Sequence, residues 1–219
     1  IVLIIAAGAL MGLINGSLIA YGKLPPFIAT LGTMKIFRSV TQQLTKTFNP
    51  KVPAGFKLIA SYKIAGQVLL PIIYWILIVA VMHIIFKKTA FGRQTIAIGS
   101  NERAAKLSGI NVNKVKCKIY ALTGVMVALA SIVYLARIGS MDFANAGSGY
   151  EMDAIAAVIV GGTAMSGGRG SLIGAFIGML IMGVMNNILN SVGVPTFLCD
   201  AIKGAIIIFA VMLQKKDNV

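Results

Sequence analysis

The chain has 219 residues, of which 58% are hydrophobic and only 12% are charged, and its mean hydropathy is +0.88. Soluble domains carry roughly 25% charged residues, so this composition excludes an ordinary water-soluble protein and predicts that lipid surrounds most of the chain. The net charge of +14 does not indicate nucleic-acid binding, because the basic residues lie between long apolar stretches and not on one polar face. Two cysteines and one histidine without ligand spacing predict neither a disulfide framework nor a metal site.

Long apolar segments predict helices that cross a membrane, which takes about 20 apolar residues. Five segments approach this length, namely 1–22, 67–86, 119–136, 170–191 and 197–214. Two others, 25–46 and 151–166, are interrupted by charges or short, and they predict tilted or broken helices. The sequence therefore predicts an all-α polytopic transmembrane bundle of about five full spans and two short or broken helices, forming one domain over 1–219. Because the chain opens inside an apolar run, we expect it to be N-terminally incomplete.

The basic residues of loop 87–118 predict which side of the membrane faces the cytoplasm. This loop carries eight Lys and Arg residues against the single acid Glu102, and Lys and Arg collect in cytoplasmic loops. Alternation along the chain then places the C-terminus in the cytoplasm. The loops 47–66 and 137–150 are expected on the outside.

Glycines recur at intervals of four in two apolar segments and predict close contacts between helices. On a helix each set lines one face, where small residues let two backbones approach in lipid. Two such faces are consistent with an internal repeat, but ordinary helix contacts are the favoured explanation because the pattern is common. The predicted packing glycines are Gly8, Gly12, Gly16, Gly170, Gly174 and Gly178.

No residues of the chain form a pattern that predicts catalysis. The glycine-rich stretch 162–169 lacks the Lys and Ser or Thr of a phosphate-binding loop, since Gly168 and Arg169 stand there instead. The close acidic pair Glu151 and Asp153 is spaced to point to different faces of a helix. We therefore predict no catalytic residue and no cofactor in this chain. The two acids are expected either to complement a helix dipole or to contact a solute.

Residues 101–109 predict a short helix that lies outside the membrane. Asn101 is a good N-cap, Glu102 follows early, and Gly109 is a natural stop. The helix would be small on one face and basic on the other, which suits docking into a groove of another protein. The alternative is a solvated basic loop.

Three blocks of sequence resemble the permease subunits of ABC importers for ribose, galactose and related monosaccharides. The blocks are Asn15-Gly16 followed by PFIATLGT at 26–33; FGR at 91–93 with AIG at 97–99 and AAKLSGIN at 104–111; and GYEMDAIAA at 149–157 with GGT at 161–163 and GGRG at 167–170. The Ala-Ala-xxx-Gly core of the second block is similar to the cytoplasmic loop by which importer permeases engage their ATPase. It departs from the broader motif, because Arg103 stands where Glu is common and the Ile-x-Leu-Pro tail is absent.

The resemblance implies an assembly in the cytoplasmic membrane and not an enzyme in its own right. It would contain two permease subunits, most simply a homodimer, two ATP-binding chains that hold ATP and magnesium, and an extracytoplasmic sugar-binding protein. Family permeases also have further helices at the N-terminus. The residues that the resemblance implies for ATPase docking are Gly99, Asn101, Glu102, Ala104, Ala105, Gly109 and Ile110.

Weakly polar groups near the predicted spans, together with the two acids, are candidates for the solute pathway; the alternative for the amides is that they only form hydrogen bonds between helices. They are Asn15, Thr30, Glu151, Asp153, Asn186, Asn187 and Asn190. The alternative function is an ion- or proton-coupled secondary transporter of a small polar solute, which would place ionisable groups at the middle of the membrane. The few acids here are expected near the interfaces, which disfavours that alternative.

Overall fold

Helices account for most of the computed structural model, which describes residues 1–45, 52–64, 68–140, 142 and 145–216. The helices are α1 (Val2–Ala20), α2 (Pro26–Thr45), α3 (Ala54–Ser61), α4 (Leu70–Lys88), α5 (Ala90–Ser100), α6 (Glu102–Leu107), α7 (Val112–Ile138), α8 (Tyr150–Val160), α9 (Leu172–Ser191) and α10 (Thr196–Lys216). Two-residue strands β1 (Lys63–Ile64) and β2 (Val68–Leu69) form one antiparallel pair. The predicted all-α fold is therefore confirmed, apart from this short hairpin.

Four helices, α1, α4, α7 and α9, are long and apolar enough to cross a membrane. They coincide with four of the five predicted spans, and the fifth lies within α10, which has 21 residues. Of the two segments predicted to be tilted or broken, α2 is a continuous helix of 20 residues. The other forms α8, which has only 11 residues and is too short to span a bilayer. The polytopic helical bundle is thus confirmed.

The chain divides into two compact units, the first comprising residues 1–78 and 105–146 and the second 79–104 and 147–219. The first unit is built on the contact between α1 and α7, and α3 also packs against α7. Association in lipid depends on close packing, because lipid tails are as apolar as the helices themselves. The glycines of α1 provide that close packing.

Three glycines on one face of α1 bring its backbone against α7. A Cβ atom added to Gly8 would lie 2.5 Å from the carbonyl oxygen of Gly124. Gly12 faces the backbone of Tyr120, and a Cβ on Gly16 would lie 2.8 Å from the Cα of Cys117. Real Cβ atoms essentially never come within 3.0 Å of such neighbours, so only glycine fits at these positions.

In the second unit, α8 packs antiparallel against α9, and α10 packs against both. Gly161 at the end of α8 lies against Gly174, and the carbonyl of Ala157 lies against Gly178. Met182 is buried with Ala157 in a small apolar cluster one turn further along α9. The first half of α9 therefore forms a continuous close contact with α8.

Gly170, the remaining glycine of the predicted set, belongs to a turn and not to the packing face of α9. It lies before the helix, where a Cβ would be 2.9 Å from the side chain of Thr163. The helix starts at Leu172 because the Ser171 hydroxyl caps it, accepting a hydrogen bond of 3.2 Å from the amide of Gly174. The regular spacing of glycines thus extends beyond the N-terminal end of α9, and only Gly174 and Gly178 belong to its packing face.

Replacing Gly174 by Leu should destabilise the protein, because the new side chain would meet the backbone of Gly161. Overpacking of a close contact costs about 1–3 kcal/mol. Gly183→Leu is the matched control on the same helix, since nothing lies within 4 Å of a Cβ there. We expect Gly174→Leu to lower the yield of monodisperse protein and its thermal unfolding midpoint, and Gly183→Leu to change neither. Equal midpoints for the two variants would contradict the packing described above.

Candidate functional site

The predicted short helix of the basic segment is present as α6, and its two ends are fixed by local hydrogen bonds. The Asn101 side chain accepts a bond of 3.0 Å from the amide of Ala104. Gly109 adopts φ +81°, and its amide donates to the carbonyl of Lys106 over 3.1 Å. The amide of Ile110 donates to the carbonyl of Ala105, also over 3.1 Å. These bonds satisfy backbone groups at both ends, so α6 is a defined helix and not a solvated loop.

The surface that α6 offers differs from the expected pair of alanines. Ala105 is only 4% exposed and is part of the buried core, whereas Ala104 is exposed. Leu107, at the end of the same helix, is 89% exposed. A helix of six residues has two sides, and one of them must pack against the chain. Helix α6 therefore exposes Ala104 and Leu107 and turns Ala105 inwards, and the docking role of these residues stays a prediction.

The end of α5, directly before α6, lies against the glycine-rich turn between α8 and α9. A Cβ added to Gly99 would be 2.6 Å from the amide nitrogen of Gly168. Gly167 and Gly168 adopt φ +86° and +75°, a left-handed conformation that favours glycine. A Cβ on Gly168 would lie 2.7 Å from the Cα of Ser100. The contact is so close that glycine is required on both sides, and it links the end of α5, directly before α6, to the turn between α8 and α9.

Two of the candidate pathway residues in α1 and α2 are bonded within the protein. The Thr33 hydroxyl donates to the Asn15 side chain over 2.6 Å, which ties α2 to α1. The Thr30 hydroxyl donates to the carbonyl of Pro26 over 3.0 Å, in its own helix. Asn15 therefore serves as a bridge between helices.

The candidate residues in the second unit lie on α8 and α9. Glu151 and Asp153 occupy the first turn of α8, where carboxylates complement the helix dipole. On α9, the side chain of Asn186 is half-buried, and Asn187 and Asn190 are exposed. The structure does bring Asp153 together with a residue that the sequence analysis missed. Lys203 of α10 places its ammonium nitrogen 2.9 Å from Oδ1 of Asp153.

Metal binding finds no support in the part of the chain that the structure describes. There, no three His, Cys, Asp or Glu side chains form a group that could hold a metal ion. Cys117 is half-buried against α1 and Cys199 is buried, and both are free thiols.

Comparison with known proteins matches residues 1–211 to a family described as branched-chain amino acid transport system, permease component. The chain belongs to this permease family. Several curated permeases are similar over nearly its whole length. The ribose import permease RbsC of Bacillus subtilis (strain 168) is 44% identical over 208 residues, which cover 93% of this chain and 64% of the relative. No solved structure matches the chain.

Two relatives from Escherichia coli K12 extend this comparison. Its ribose import permease RbsC is 39% identical over 220 residues, covering 98% of the chain and 68% of the relative. Its galactose/methyl galactoside import permease MglC is 43% identical over 222 residues, covering 98% and 66%. The chain thus spans about two thirds of the length of the curated relatives that it matches. The chain is therefore a multi-pass membrane protein of a permease family.

The contact between Gly168 and Ser100 predicts a difference between two otherwise similar alanine variants. Gly168 and Gly162 both have positive φ, so Ala at either position carries a backbone strain of about 1–2 kcal/mol. Nothing lies within 4 Å of a Cβ on Gly162, whereas a Cβ on Gly168 collides with Ser100. Gly168→Ala should therefore lower the thermal unfolding midpoint of the purified permease further than Gly162→Ala does. The contact is absent if the two variants unfold at the same temperature.

Proposed function

We propose that this permease is the transmembrane subunit of an ATP-driven importer that moves a monosaccharide of the ribose or galactose type across the cytoplasmic membrane. The observation that carries the proposal is the similarity, at 39–44% identity over nearly the whole chain, to permeases named for ribose and galactose import. The family description names branched-chain amino acids instead. The individual relatives are the more specific guide to the solute, because they match this chain directly.

In this proposal the permease provides the path and partner chains provide the energy. ATP and magnesium bind to a separate cytoplasmic ATPase, and an extracytoplasmic binding protein delivers the sugar. A second permease subunit, most simply another copy of this chain, completes the path through the bilayer. The stretch 162–169 supports this division, because it forms a glycine turn packed on Gly99 and lacks the lysine that a phosphate-binding loop needs.

The charges of the helix ends support an orientation with the C-terminus in the cytoplasm. Lys87 and Lys88 form the last turn of α4, so α4 ends on the basic side of the membrane. The helices α5 and α6 follow on that side, where Lys and Arg are concentrated in membrane proteins. The turn between α8 and α9, which carries Arg169, packs against the end of α5 and therefore shares that side.

The short helix α6 is the docking element in this arrangement, with Leu107 as its anchor. A leucine that is 89% exposed next to lysine and arginine residues is poorly placed for water and for lipid. Burial of a leucine side chain in a partner groove contributes about 1.5–3 kcal/mol. Movement of α6 would then act through the contact between Gly99 and Gly168 on the hairpin of α8 and α9.

Transport by the reconstituted complex tests the function directly. We expect proteoliposomes that contain the permease and its ATPase to take up radiolabelled ribose or galactose only when ATP and the binding protein are present. Uptake of leucine under the same conditions, with no sugar uptake, would favour the amino-acid reading of the family description. Sugar uptake driven by a proton or sodium gradient without ATP would instead establish the secondary transporter.

Leu107→Asp should reduce co-purification of the ATPase, because it removes the apolar anchor from α6. A loss of about 1.5 kcal/mol or more corresponds to at least about tenfold weaker association. Ile96→Asp is the matched control, since Ile96 is an exposed apolar residue of the neighbouring helix α5 and lies outside α6. The control should retain wild-type association. Equal association of Leu107→Asp and the wild type would show that α6 is not the docking element.

A further inference from the structure

Three charged side chains meet where α8 and α10 pack together. The ammonium nitrogen of Lys203 lies 2.9 Å from Oδ1 of Asp153 and 3.7 Å from Oδ1 of Asp200. The side chains of Lys203 and Asp153 are only 18% and 21% exposed, whereas that of Asp200 is 77% exposed. Oδ1 of Asp153 is itself buried, and among the described residues it has this ion pair and no hydrogen bond. Lys203 is therefore the partner on which this carboxylate depends.

The register of α8 against α9 gives the depth of these charges. Gly161 lies against Gly174 and Ala157 against Gly178, so the next turn of the antiparallel pair brings Asp153 level with Met182. Met182 is the eleventh of the twenty residues of α9. Since a helix of this length covers about 30 Å, the thickness of the hydrocarbon, Asp153 lies near the middle of the membrane. This acid was expected near an interface, and the register of α8 against α9 favours a deeper position.

The same register places the start of helix α8 inside the membrane. Its 11 residues cover about 16 Å, or half the hydrocarbon thickness. Before it, Gly147 and Gly149 adopt φ +72° and +86°, and no atom of the described residues lies within 4 Å of a Cβ on either. Backbone that is not helical is tolerated at such depth only where protein covers it or water reaches it.

Stability alone does not explain charges at this depth. A buried ion pair contributes little net stability, because removing both charges from water is costly. Two carboxylates and one ammonium also leave a net charge of −1 in the cluster. Charged groups inside a membrane almost always face the bundle interior or a water-filled cavity. The exposed side of this cluster, which carries Asp200, therefore faces water and not lipid tails.

We propose that Asp153, Lys203 and Asp200 line a water-filled path that enters the membrane from the outer end of α10, where Asp200 is the fifth of 21 residues, and that the Asp153–Lys203 pair hydrogen-bonds the hydroxyl groups of the passing solute. The choice of a monosaccharide as that solute rests on the proposed function. A sugar hydroxyl donates to a carboxylate and accepts from an ammonium, so it replaces either partner of the ion pair without a proton transfer. When no sugar is present, Asp153 and Lys203 pair with each other.

Reaction with a charged, membrane-impermeant thiol reagent tests whether water reaches this face of α10. Asp200→Cys is compared with Ile202→Cys in a permease in which Cys117 and Cys199 are replaced by Ala. The two positions differ by only two residues in depth but point to opposite sides of the helix, and Ile202 is also exposed. We expect the Cys at position 200 to react at least tenfold faster than the Cys at position 202. Equal rates would overturn the proposal.

A double neutral variant separates a pathway role from a structural one. Lys203→Met alone leaves Asp153 buried without its cation and should lower the yield. Asp153→Asn alone should lower it less, because Lys203 retains Asp200. In Asp153→Asn with Lys203→Met no buried charge remains between α8 and α10, because the remaining carboxylate, that of Asp200, is 77% exposed, so yield and thermal midpoint should return. Sugar uptake by this double variant should stay at least tenfold below the wild type, with ATPase association unchanged.

Full recovery of uptake in the double variant would mean that the ion pair only fastens α8 to α10, and it would overturn the proposal. Lys203→Arg keeps the positive charge and should retain most of the uptake. The thiol reaction requires neither substrate nor ATP, so its outcome does not depend on the importer assignment. If the wild-type complex moved no sugar while position 200 remained selectively reactive, the proposed function would fail and the water-filled path would stand.

Discussion

Close approach of backbones is the constraint on which both units of this permease depend. Lipid tails offer no hydrophobic reason for two apolar helices to associate, so packing and hydrogen bonds must hold them together. The contacts of α1 with α7 and of α8 with α9 solve this problem in the same way, with glycine facing the backbone of the opposite helix. The third close contact, between Gly99 and Gly168, lies outside the spans and uses the same means.

These glycine contacts decide where polar groups can lie. Because Gly174 and Gly178 hold α8 against one half of α9, the start of α8 lies beside the middle of α9. The carboxylate of Asp153 is thereby placed within reach of α10, which supplies Lys203. In α1, the same close packing leaves Asn15 beside α2, where it accepts a hydrogen bond from Thr33. The backbone contacts therefore determine where these polar side chains lie, and the polar side chains do not determine the contacts.

The sequence predicted those features that a local pattern encodes. Apolar length gave the spans, the interval of four gave the packing faces, and Asn101 with Gly109 marked the ends of α6. The burial of Ala105 could not be predicted, because the side of a short helix that packs inwards depends on distant segments. The partner of Asp153 was missed for the same reason, since Lys203 lies fifty positions away. The local signal that could have revealed Lys203 was the pair of charges, Asp200 and Lys203, three residues apart in an apolar segment.

The half-length of α8 also makes this permease sensitive to the thickness of its bilayer in an uneven way. Helices that are longer or shorter than the local hydrocarbon layer respond by tilting, and α9, with its 20 residues, must follow any change in thickness. The glycine contact fastens one half of α9 to α8, through Gly174 and Gly178, whereas no described atom lies within 4 Å of a Cβ at Gly183 in the other half. When α9 tilts, the end next to the turn would therefore stay in place and the opposite end would move. Lipid acyl-chain length would thus change the position of that far end while leaving the turn at Gly168 in place.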